Sequence, residues 1–252
     1  MKRVLYMGQK PIGERCFELL ALNQNDCYQI AGVVSNQSVQ NVWWHSNKPY
    51  QYSREHEIAF IDNEKRNEDA IIELIQKRNI NLIISVGHNW ILSEEILNTV
   101  KHEAVNLHLA KLPDYKGNYT YNHAILNGEK QYGVTLHWMD KKVDEGDYIY
   151  MALFRITDDD TAYSLYQKSI VEGEKVFQKY ICCLKEDKSV PRKKIEGEGN
   201  FYSKSSLKGL REIKEIADSN EIQIKSRAFY FPPFESAYLL IGGKKYYIIP
   251  EK

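Results

Sequence analysis

The stretch AVNLHLAKLPDYKG, residues 104–117, decides how the rest of the chain is interpreted. It begins as a short apolar strand, yet the polar residues Asn106 and His108 interrupt the apolar run. Side chains two positions apart on a strand point to the same face of the sheet. A polar turn, KLPDYKG, follows at once. We therefore predict a strand whose end presents two polar groups side by side.

Strand-like and helix-like patterns alternate before this stretch. The apolar runs RVLYMG, YQIAGVVS, IAFI and INLIISVG predict strands. Asn67, or the residue before it, and Ser93 are expected to cap two helices of this region. Residues 42–52, VWWHSNKPYQY, are predicted to form an irregular loop rich in aromatic residues. This alternation predicts an α/β fold with a doubly wound, mostly parallel sheet, in which ligands bind beyond the carboxyl ends of the strands.

The pattern changes after the polar turn. YNHAILNG predicts a helix, YGVTLHWMD and GDYIYMALFRI predict two antiparallel strands, and residues 161–184 predict a long helix. The tail predicts a helix and then a hairpin that turns at Gly242 and Gly243. We predict a main domain over residues 1–185, a polar connector over 186–199, and a small helix and β-hairpin appendage over 200–252.

The composition excludes some classes of protein. The chain has 252 residues, of which 43% are hydrophobic and 27% charged, and its formal net charge is zero. A protein that binds nucleic acid usually carries a basic excess, so we expect no nucleic acid partner. No apolar run reaches the roughly 18 residues that span a membrane, and the first residues form a strand pattern rather than a signal peptide. We therefore expect a cytoplasmic protein that does not associate with a membrane.

Two kinds of cofactor site are not expected. The four cysteines, Cys16, Cys27, Cys182 and Cys183, lack the spacing of a zinc site, so we predict reduced thiols and no metal. The glycine-rich fingerprint that binds NAD or FAD is absent after the first strand.

One carboxylate completes a chemical set with the two polar residues of the strand. Asp144 lies in KKVDEGDYI, between the two predicted antiparallel strands. An asparagine amide can donate to a developing oxyanion, a histidine can accept the proton of a nucleophile, and an aspartate can orient the imidazole. Neither a serine nor a cysteine stands in the context of a covalent nucleophile. The set Asn106, His108 and Asp144 therefore predicts acyl transfer by direct attack of an external nucleophile.

The order and spacing of these residues resemble a known family. NLHLAKLPDYKG followed by NGEKQYGVTLHWMDKKVDEGDYI is similar to the formyltransferases that use 10-formyltetrahydrofolate. The positions that match are Asn106, His108, Leu112, Pro113, Tyr115, Gly117, Gly133, Val134, Thr135, His137, Val143, Asp144, Gly146 and Asp147. The resemblance covers most of residues 1–185 and implies a Rossmann-like formyltransferase fold with Asn106, His108 and Asp144 as the catalytic set.

The resemblance also implies binding residues. SVGHNWILS, residues 85–93, corresponds to the segment that lines the folate pocket, and the residues expected to contact the co-substrate are Ser85, Gly87, His88, Trp90, Leu92, Met139 and Asp140. The residues expected to contact the acceptor are Tyr115, Lys116, Gly117, Asn118, Tyr119, Tyr230 and Phe231.

The tail restricts the range of expected acceptors. Its sequence RAFYFPPFESAYLLIGGKKYYI is similar to the C-terminal segments of sugar N-formyltransferases. The resemblance implies a nucleotide-linked amino sugar as partner, with dTDP-4-amino-4,6-dideoxyglucose favoured and a 3-amino isomer or a UDP-linked sugar as alternatives. Two other functions stay open: a methionyl-tRNA formyltransferase and a non-catalytic protein that binds folate or a nucleotide sugar. The apolar hairpin and the resemblance together predict a homodimer.

Overall fold

We describe the protein from a computed structural model, which covers residues 1–37, 43, 44, 47–64 and 66–251. The strands are β1 Lys2–Gly8, β2 Tyr28–Ser35, β3 Ala59–Asp62, β4 Leu82–Val86, β5 Ala104–His108, β6 Lys116–Gly117, β7 Gln131–Trp138, β8 Tyr148–Arg155, β9 Phe201–Tyr202, β10 Glu212–Ile213, β11 Ala237–Ile241 and β12 Lys244–Ile248. The helices are α1 Lys10–Leu22, α2 Lys48–Glu55, α3 Glu68–Lys77, α4 Glu94–Thr99, α5 Thr120–Leu126, α6 Ala162–Lys185 and α7 Ser219–Ala228.

Seven of these strands form the central sheet. Their order is β3-β2-β1-β4-β5-β7-β8. The first five run parallel, and β7 and β8 add to the β5 edge as antiparallel neighbours. The predicted α/β fold with a mostly parallel sheet is confirmed, as is the predicted antiparallel pair.

Helices cover both faces of the sheet. On one face, α1 and α6 pack over a core that includes Phe17, Ile84, Leu107 and Phe177. On the other face, α3 and α4 pack over a second core that includes Ile71. Parallel strands covered on both faces are apolar nearly throughout, which explains why LIISV in β4 is entirely buried. The sheet is therefore doubly wound.

The predicted helix caps are also confirmed. The Asn67 side chain accepts a hydrogen bond from the backbone N–H of Ala70, and the Ser93 hydroxyl oxygen accepts one from the backbone N–H of Ile96. Each cap satisfies one of the backbone donors that a helix leaves free at its start.

The prediction of a loop over residues 42–52 was wrong in its second half, because α2 begins at Lys48. Pro49 lies in the first turn of the helix, where proline's fixed φ is favourable and its missing N–H costs nothing. The side chain of Ser53 donates to the Pro49 carbonyl, and the Tyr52 ring packs edge-on against Phe17. Residues 42, 45 and 46 of the predicted loop lie outside the described residues.

The tail folds onto the first part of the chain. The predicted helix is α7, and the predicted hairpin is β11 and β12, with positive φ angles of 57° at Gly242 and 77° at Gly243. The short strands β9 and β10 were not predicted, since two residues carry no periodicity. Leu207 and Phe229 share a core with Tyr115 and Ala124. The domain boundaries at residues 185 and 200 remain a prediction.

Two further observations concern only the described part of the chain. None of its helices is both long and apolar enough to cross a membrane. Within the same residues, no group of three or more His, Cys, Asp or Glu side chains is arranged to hold a metal ion.

Candidate active site

The end of β5 positions Asn106 and His108 on one face of the sheet. Val105 and Leu107 point into the core beneath α1 and α6, while Ala104 points into the core beneath α3 and α4. Asn106 and His108 share the face of Ala104, because side chains alternate along a strand. Both side chains are half-buried at the edge where ligands bind in such sheets.

Asp144 reaches this edge from the loop between β7 and β8. Its Oδ2 atom lies 3.7 Å from Nδ1 of His108 and accepts a hydrogen bond of 2.9 Å from the backbone nitrogen of Gly117. Its Oδ1 atom lies 3.4 Å from Nε2 of His137. The structure thus brings Asp144 together with Asn106 and His108, although they belong to separate segments of the chain.

The environment keeps Asp144 ionised. Burial favours the neutral acid, but the adjacent His108 and the backbone hydrogen bond from Gly117 outweigh it. They hold the pKa of Asp144 well below its usual range. The residue has a φ of 57°, in the left-handed region that side chains seldom adopt, so this conformation must be held by the contacts of its carboxylate and loop.

His108 is held from both sides. Its Nε2 atom donates to the backbone carbonyl of Tyr115 at 2.8 Å, and its Nδ1 atom faces Asp144. The polar turn after β5 therefore folds back to orient the imidazole. The turn KLPDYKG thus has a physical role, since the Tyr115 carbonyl within it holds the imidazole.

His137 is a member of the site that the sequence analysis did not single out. Its Nδ1 atom donates to the carbonyl of Trp138 at 2.8 Å, which turns Nε2 toward the site. In the neutral ring, Nε2 accepts a hydrogen bond from the side-chain amide of Asn106 at 3.1 Å. The signal for it was present, because His137 belongs to the matched GVTLH motif, but the motif alone gave no role to the side chain.

The arrangement offers three chemical groups at one point. The second N–H of the Asn106 amide is available to stabilise negative charge on an oxygen. The imidazole of His108 can serve as a proton acceptor or donor for a reacting group. Asp144 carries a fixed negative charge that stabilises a protonated imidazole.

Most of the residues expected to contact the folate lie around the end of β4. Ser85 stands beside Asn106 in the register of β4 and β5. Leu92 is buried in the core beneath α3 and α4, and Trp90 and Met139 pack against that same core. Gly87 has a φ of 64°, and a side chain there would meet the Gln9 carbonyl oxygen at 2.7 Å. These mostly apolar residues form a wall next to the candidate catalytic set.

Two expected folate contacts behave differently. Asp140 is exposed, and its carboxylate accepts a hydrogen bond from the adjacent Lys141 backbone, so the structure does not place it in this wall. The ring of His88 packs edge-on against Trp90, with the ring centres 5.0 Å apart. Both ring nitrogens of His88 are buried without a hydrogen-bond partner among the described residues.

The residues expected to contact the acceptor divide into three groups. The first group is Tyr115 and Lys116, whose side chains are buried and paired: the Tyr115 hydroxyl donates to Glu129 and the Lys116 amine contacts Glu145. Their contact with the acceptor stays a prediction. The second group comprises Gly117 and Asn118, whose backbone N–H groups are already bonded. The N–H of Gly117 donates to the Asp144 carboxylate, and the N–H of Asn118 donates to the Tyr202 carbonyl.

The third group comprises the side chains that stay open. The Asn118 side chain is half-buried, and Tyr119 is 43% exposed beside the site. The Tyr230 carbonyl accepts a hydrogen bond from the backbone of Tyr163, and Phe231 packs in an aromatic cluster with Trp43 and Tyr166. The acceptor-binding role of these residues remains a proposal.

Comparison with known proteins decides the family. The sequence profile described as formyl transferase matches residues 2–181. The chain belongs to the formyl transferase family. The assignment agrees with the resemblance that the motifs around Asn106 and Asp144 had indicated.

Two curated relatives of this formyl transferase illustrate the range of the family. A methionyl-tRNA formyltransferase from Clostridium tetani is 34% identical over 174 residues, which cover 66% of the chain and 56% of that protein. A GDP-perosamine N-formyltransferase from Brucella melitensis is 31% identical over 186 residues, which cover 72% of the chain and 69% of that protein. The chain therefore spans little more than half the length of the first relative.

Solved structures of formyl transferases share the fold over nearly the whole chain. A 4-N formyltransferase from Francisella tularensis superposes with a TM-score of 0.78 at 22% identity, covering 99% of this chain and 97% of the other. An N-formyltransferase from Helicobacter canadensis, solved with folinic acid and dTDP-3-aminofucose, gives a TM-score of 0.76 at 24% identity over 97% of this chain and 86% of that one.

Proposed function

We propose that this formyl transferase moves a formyl group from 10-formyltetrahydrofolate to the amine of a nucleotide-linked amino sugar. The observation that carries the proposal is the convergence of Asn106, His108 and Asp144 at one edge of the sheet, beside the apolar wall at the end of β4. A surface polysaccharide that contains the formylated sugar is the product we expect such a step to serve.

The chemistry follows from the three side chains. 10-Formyltetrahydrofolate supplies the formyl carbon when it is bound. Asn106 donates its free N–H to the formyl oxygen as negative charge develops there, while His108 accepts a proton from the attacking amine. The bond between the formyl carbon and N10 of the folate then breaks, and His108 returns the proton to N10, so that the formyl amide and tetrahydrofolate are the products. Asp144 stabilises the intermediate imidazolium, and its low pKa keeps it charged throughout.

The residues at the end of β4 suit the ring system of a folate. Trp90 and Met139 offer a partly buried apolar surface above the core residue Leu92, and the nitrogens of His88 are polar groups that lack a partner within the described residues. Binding pockets for flat cofactors commonly combine an apolar lining with a few polar groups. We assign the co-substrate to this wall on that ground.

The acceptor class is supported by the relatives and by the tail. The Brucella relative acts on GDP-perosamine by its name, and the Helicobacter structure contains dTDP-3-aminofucose. We keep dTDP-4-amino-4,6-dideoxyglucose as the first acceptor to test. The 3-amino isomer and UDP-linked sugars follow it, and the Brucella relative adds GDP-linked sugars to the set.

A second candidate function is formylation of methionyl-tRNA. The curated relatives named as methionyl-tRNA formyltransferases favour it, including one from Pediococcus pentosaceus that is 27% identical over 97% of the chain. The formal net charge of zero speaks against it, because tRNA binding depends on an excess of basic side chains.

One experiment separates these functions. The protein is incubated with 10-formyltetrahydrofolate and a panel of dTDP-, UDP- and GDP-linked amino sugars, and mass spectrometry detects the gain of a formyl group. A parallel reaction contains methionyl-tRNA. We expect formylation of at least one amino sugar and none of the tRNA. Formylation of the tRNA alone would overturn the proposal, and binding without any transfer would indicate a non-catalytic binding protein.

A further inference from the structure

The short strand β6 and the residue before it hold two members of the candidate catalytic set. The Tyr115 carbonyl, just before the strand, accepts a hydrogen bond of 2.8 Å from Nε2 of His108. The backbone N–H of Gly117 donates to the Asp144 carboxylate at 2.9 Å. The position of this one short segment therefore fixes both the imidazole and the carboxylate.

The segment is held in turn by the tail. β6 lies outside the seven-stranded sheet, and among the described strands it pairs with β9, which runs parallel to it. The Lys116 N–H donates to the Asn200 carbonyl at 2.9 Å. Two residues further on, the Asn118 N–H donates to the Tyr202 carbonyl at 2.8 Å. The tail thus supplies the backbone acceptors that anchor β6.

One peptide group joins the tail to the imidazole. The carbonyl of Tyr115 and the N–H of Lys116 belong to the same peptide unit, which is planar and rigid. Its oxygen accepts from His108, while its N–H donates to Asn200. The plane cannot turn without weakening both hydrogen bonds, and bonds linked in this way polarise one another. Since Nε2 carries the proton of this bond, Nδ1 is the basic atom of the neutral His108 ring.

The backbones of the two segments touch each other directly. Gly117 has a φ of 88°, and a Cβ added there would collide with the carbonyl oxygen of Tyr202. Gly199 has a φ of 61°, and a Cβ added there would collide with the carbonyl oxygen of Pro113 in the turn after β5. Glycine at both positions lets the tail lie against this turn with no side chain between them.

The Tyr202 side chain fixes the residue whose carbonyl holds His108. Its ring stacks on the Tyr115 ring, with the ring centres 5.6 Å apart and the planes inclined by 11°. It also stacks on the ring of His123, with the centres 3.9 Å apart. The amide of Asn127 donates to the hydroxyls of both tyrosines at 3.1 Å. These contacts hold the side chain of Tyr115 in one orientation.

We propose that β9 of the tail is a positioning element for the reaction, with Tyr202 as its principal side chain. The strand holds the peptide between Tyr115 and Lys116, and that peptide keeps Nδ1 of His108 free to accept a proton. Tyr202 is a positioning residue, because it acts through Tyr115 and not on the reacting atoms. This inference rests on the proposed function for the identity of the reaction.

Three variants of the whole chain separate positioning from general stability. Tyr202→Ala removes the ring, whereas Tyr202→Phe keeps the ring and loses only the hydroxyl. Ile213→Ala is the matched control, because Ile213 is a buried tail residue that shares a core with Tyr115 but lies on β10, outside the pair of β6 and β9.

Two measurements are made on each variant. Steady-state kinetics give kcat and the KM values for 10-formyltetrahydrofolate and for the acceptor found in the panel. Long-range ¹H–¹⁵N NMR of the neutral imidazole shows which ring nitrogen of His108 carries the proton, and the His108→Asn variant assigns the signals.

We expect Tyr202→Ala to lower kcat by about 10- to 100-fold and the KM values to change much less, because a slightly misplaced catalytic group commonly costs this much turnover. Tyr202→Phe should recover most of the loss, since it restores the ring that stacks on Tyr115. Ile213→Ala should keep the wild-type kcat although it lowers the free energy of unfolding. His108 should carry its proton on Nε2 in the wild type, and Tyr202→Ala should show a mixture of both tautomers.

Several results would overturn the proposal. They are an unchanged kcat or an unchanged tautomer in Tyr202→Ala, a loss confined to the acceptor KM, a Tyr202→Phe variant as slow as Tyr202→Ala, and an equal loss of kcat in Ile213→Ala. Tyr202→Leu keeps apolar bulk without a flat ring and takes the place of Tyr202→Ala if that variant does not fold. The tautomer measurement needs no acceptor, so this proposal stands or fails even if no amino sugar is formylated.

Discussion

The imidazole of His137 accepts a hydrogen bond from the side-chain amide of Asn106, with 3.1 Å between Nε2 and Nδ2. The register of β5 and β7 places these two residues directly opposite each other. The contact uses one N–H of the amide and leaves the other to point at a ligand. An amide held in this way needs no reorientation when negative charge develops, which is how preorganised donors lower a barrier.

The first prediction concerns this pair. Asn106→Ala should lower turnover by about 10²- to 10³-fold, the usual effect of losing one oxyanion donor, and should change the acceptor KM much less. His137→Phe should lower turnover by about 10-fold if it acts only by orienting Asn106. The double variant should then be no slower than Asn106→Ala alone. Independent, multiplicative losses would show that His137 does not act through Asn106.

The second prediction concerns the proton acceptor. His108→Asn should lower turnover by about 10²- to 10⁴-fold, because that is the usual contribution of general base catalysis. The matched control is His102→Asn, a partly buried histidine outside the site, whose ring contacts Asn98. Steady-state rates with the acceptor found in the panel check both variants. Near-normal turnover of His108→Asn would end its assignment as the base.

The third prediction concerns the acid side of the stability profile. The pKa of Asp144 in the folded protein lies below the value of about 3.9 for an unfolded aspartate, so folding favours its ionised form. Its contribution to stability is complete above that value and is lost as the pH falls toward the folded pKa. The free energy of unfolding of the wild type should therefore fall relative to Asp144→Asn below about pH 4.

Denaturant titrations from pH 3 to pH 7 measure this difference. Asp158→Asn is the control, because the ion pair of Asp158 with Lys130 is exposed and such pairs contribute little. A constant difference between the wild type and Asp144→Asn over the whole range would contradict the prediction.

The fourth prediction concerns Gly87. Gly87 and Gly128 have φ angles of 64° and 70°, so an alanine at either position costs about 1 to 2 kcal/mol of backbone strain. Gly128 has no atom within 4 Å of an added Cβ, whereas at Gly87 the Gln9 carbonyl oxygen would lie at 2.7 Å. Gly87→Ala should therefore lower the free energy of unfolding more than Gly128→Ala. Equal losses in urea titrations would mean that the chain relaxes without cost around Gln9.

The fifth prediction concerns assembly, and we propose that two copies pair through the hairpin of the tail. The hairpin leaves apolar side chains exposed, with exposed fractions of 52% at Leu240, 51% at Ile241 and 61% at Ile249. In the described sheet, β12 is an edge strand, and the backbone N–H and C=O groups of an edge strand can pair with a strand of another chain. Leu240→Glu combined with Ile241→Glu should convert a dimer into a monomer in light scattering.

Leu22→Glu is the control for assembly, since Leu22 is 83% exposed at the end of α1. A monomeric mass for the wild type at micromolar concentrations would contradict the proposed dimer. Truncation after Glu198 is a poorer test, because it removes Phe229 and Leu207 from a core that they share with Tyr115. The truncated chain would lose stability whatever its assembly.

The sequence by itself determined the features that depend on neighbouring residues. The alternation along β5 places Asn106 and His108 on one face because the strand period is two, and Asn67 and Ser93 cap helices through contacts three residues away. The mostly parallel sheet followed from strand-like segments that alternate with helix-like segments along the chain. The strands were recognisable because a strand buried on both faces has to be apolar throughout.

Only the tertiary structure decided which distant groups meet. The contact of Asp144 with Gly117, the contact of His137 with Asn106, and the burial of Tyr115 under the tail all join segments that share no local pattern. Lys116 looked available in the sequence and proved to be paired with Glu145. Likewise, the closeness of Gln9 to Gly87 depends on the parallel pairing of β1 with β4, because strand pairing rather than sequence spacing sets which loop ends lie together.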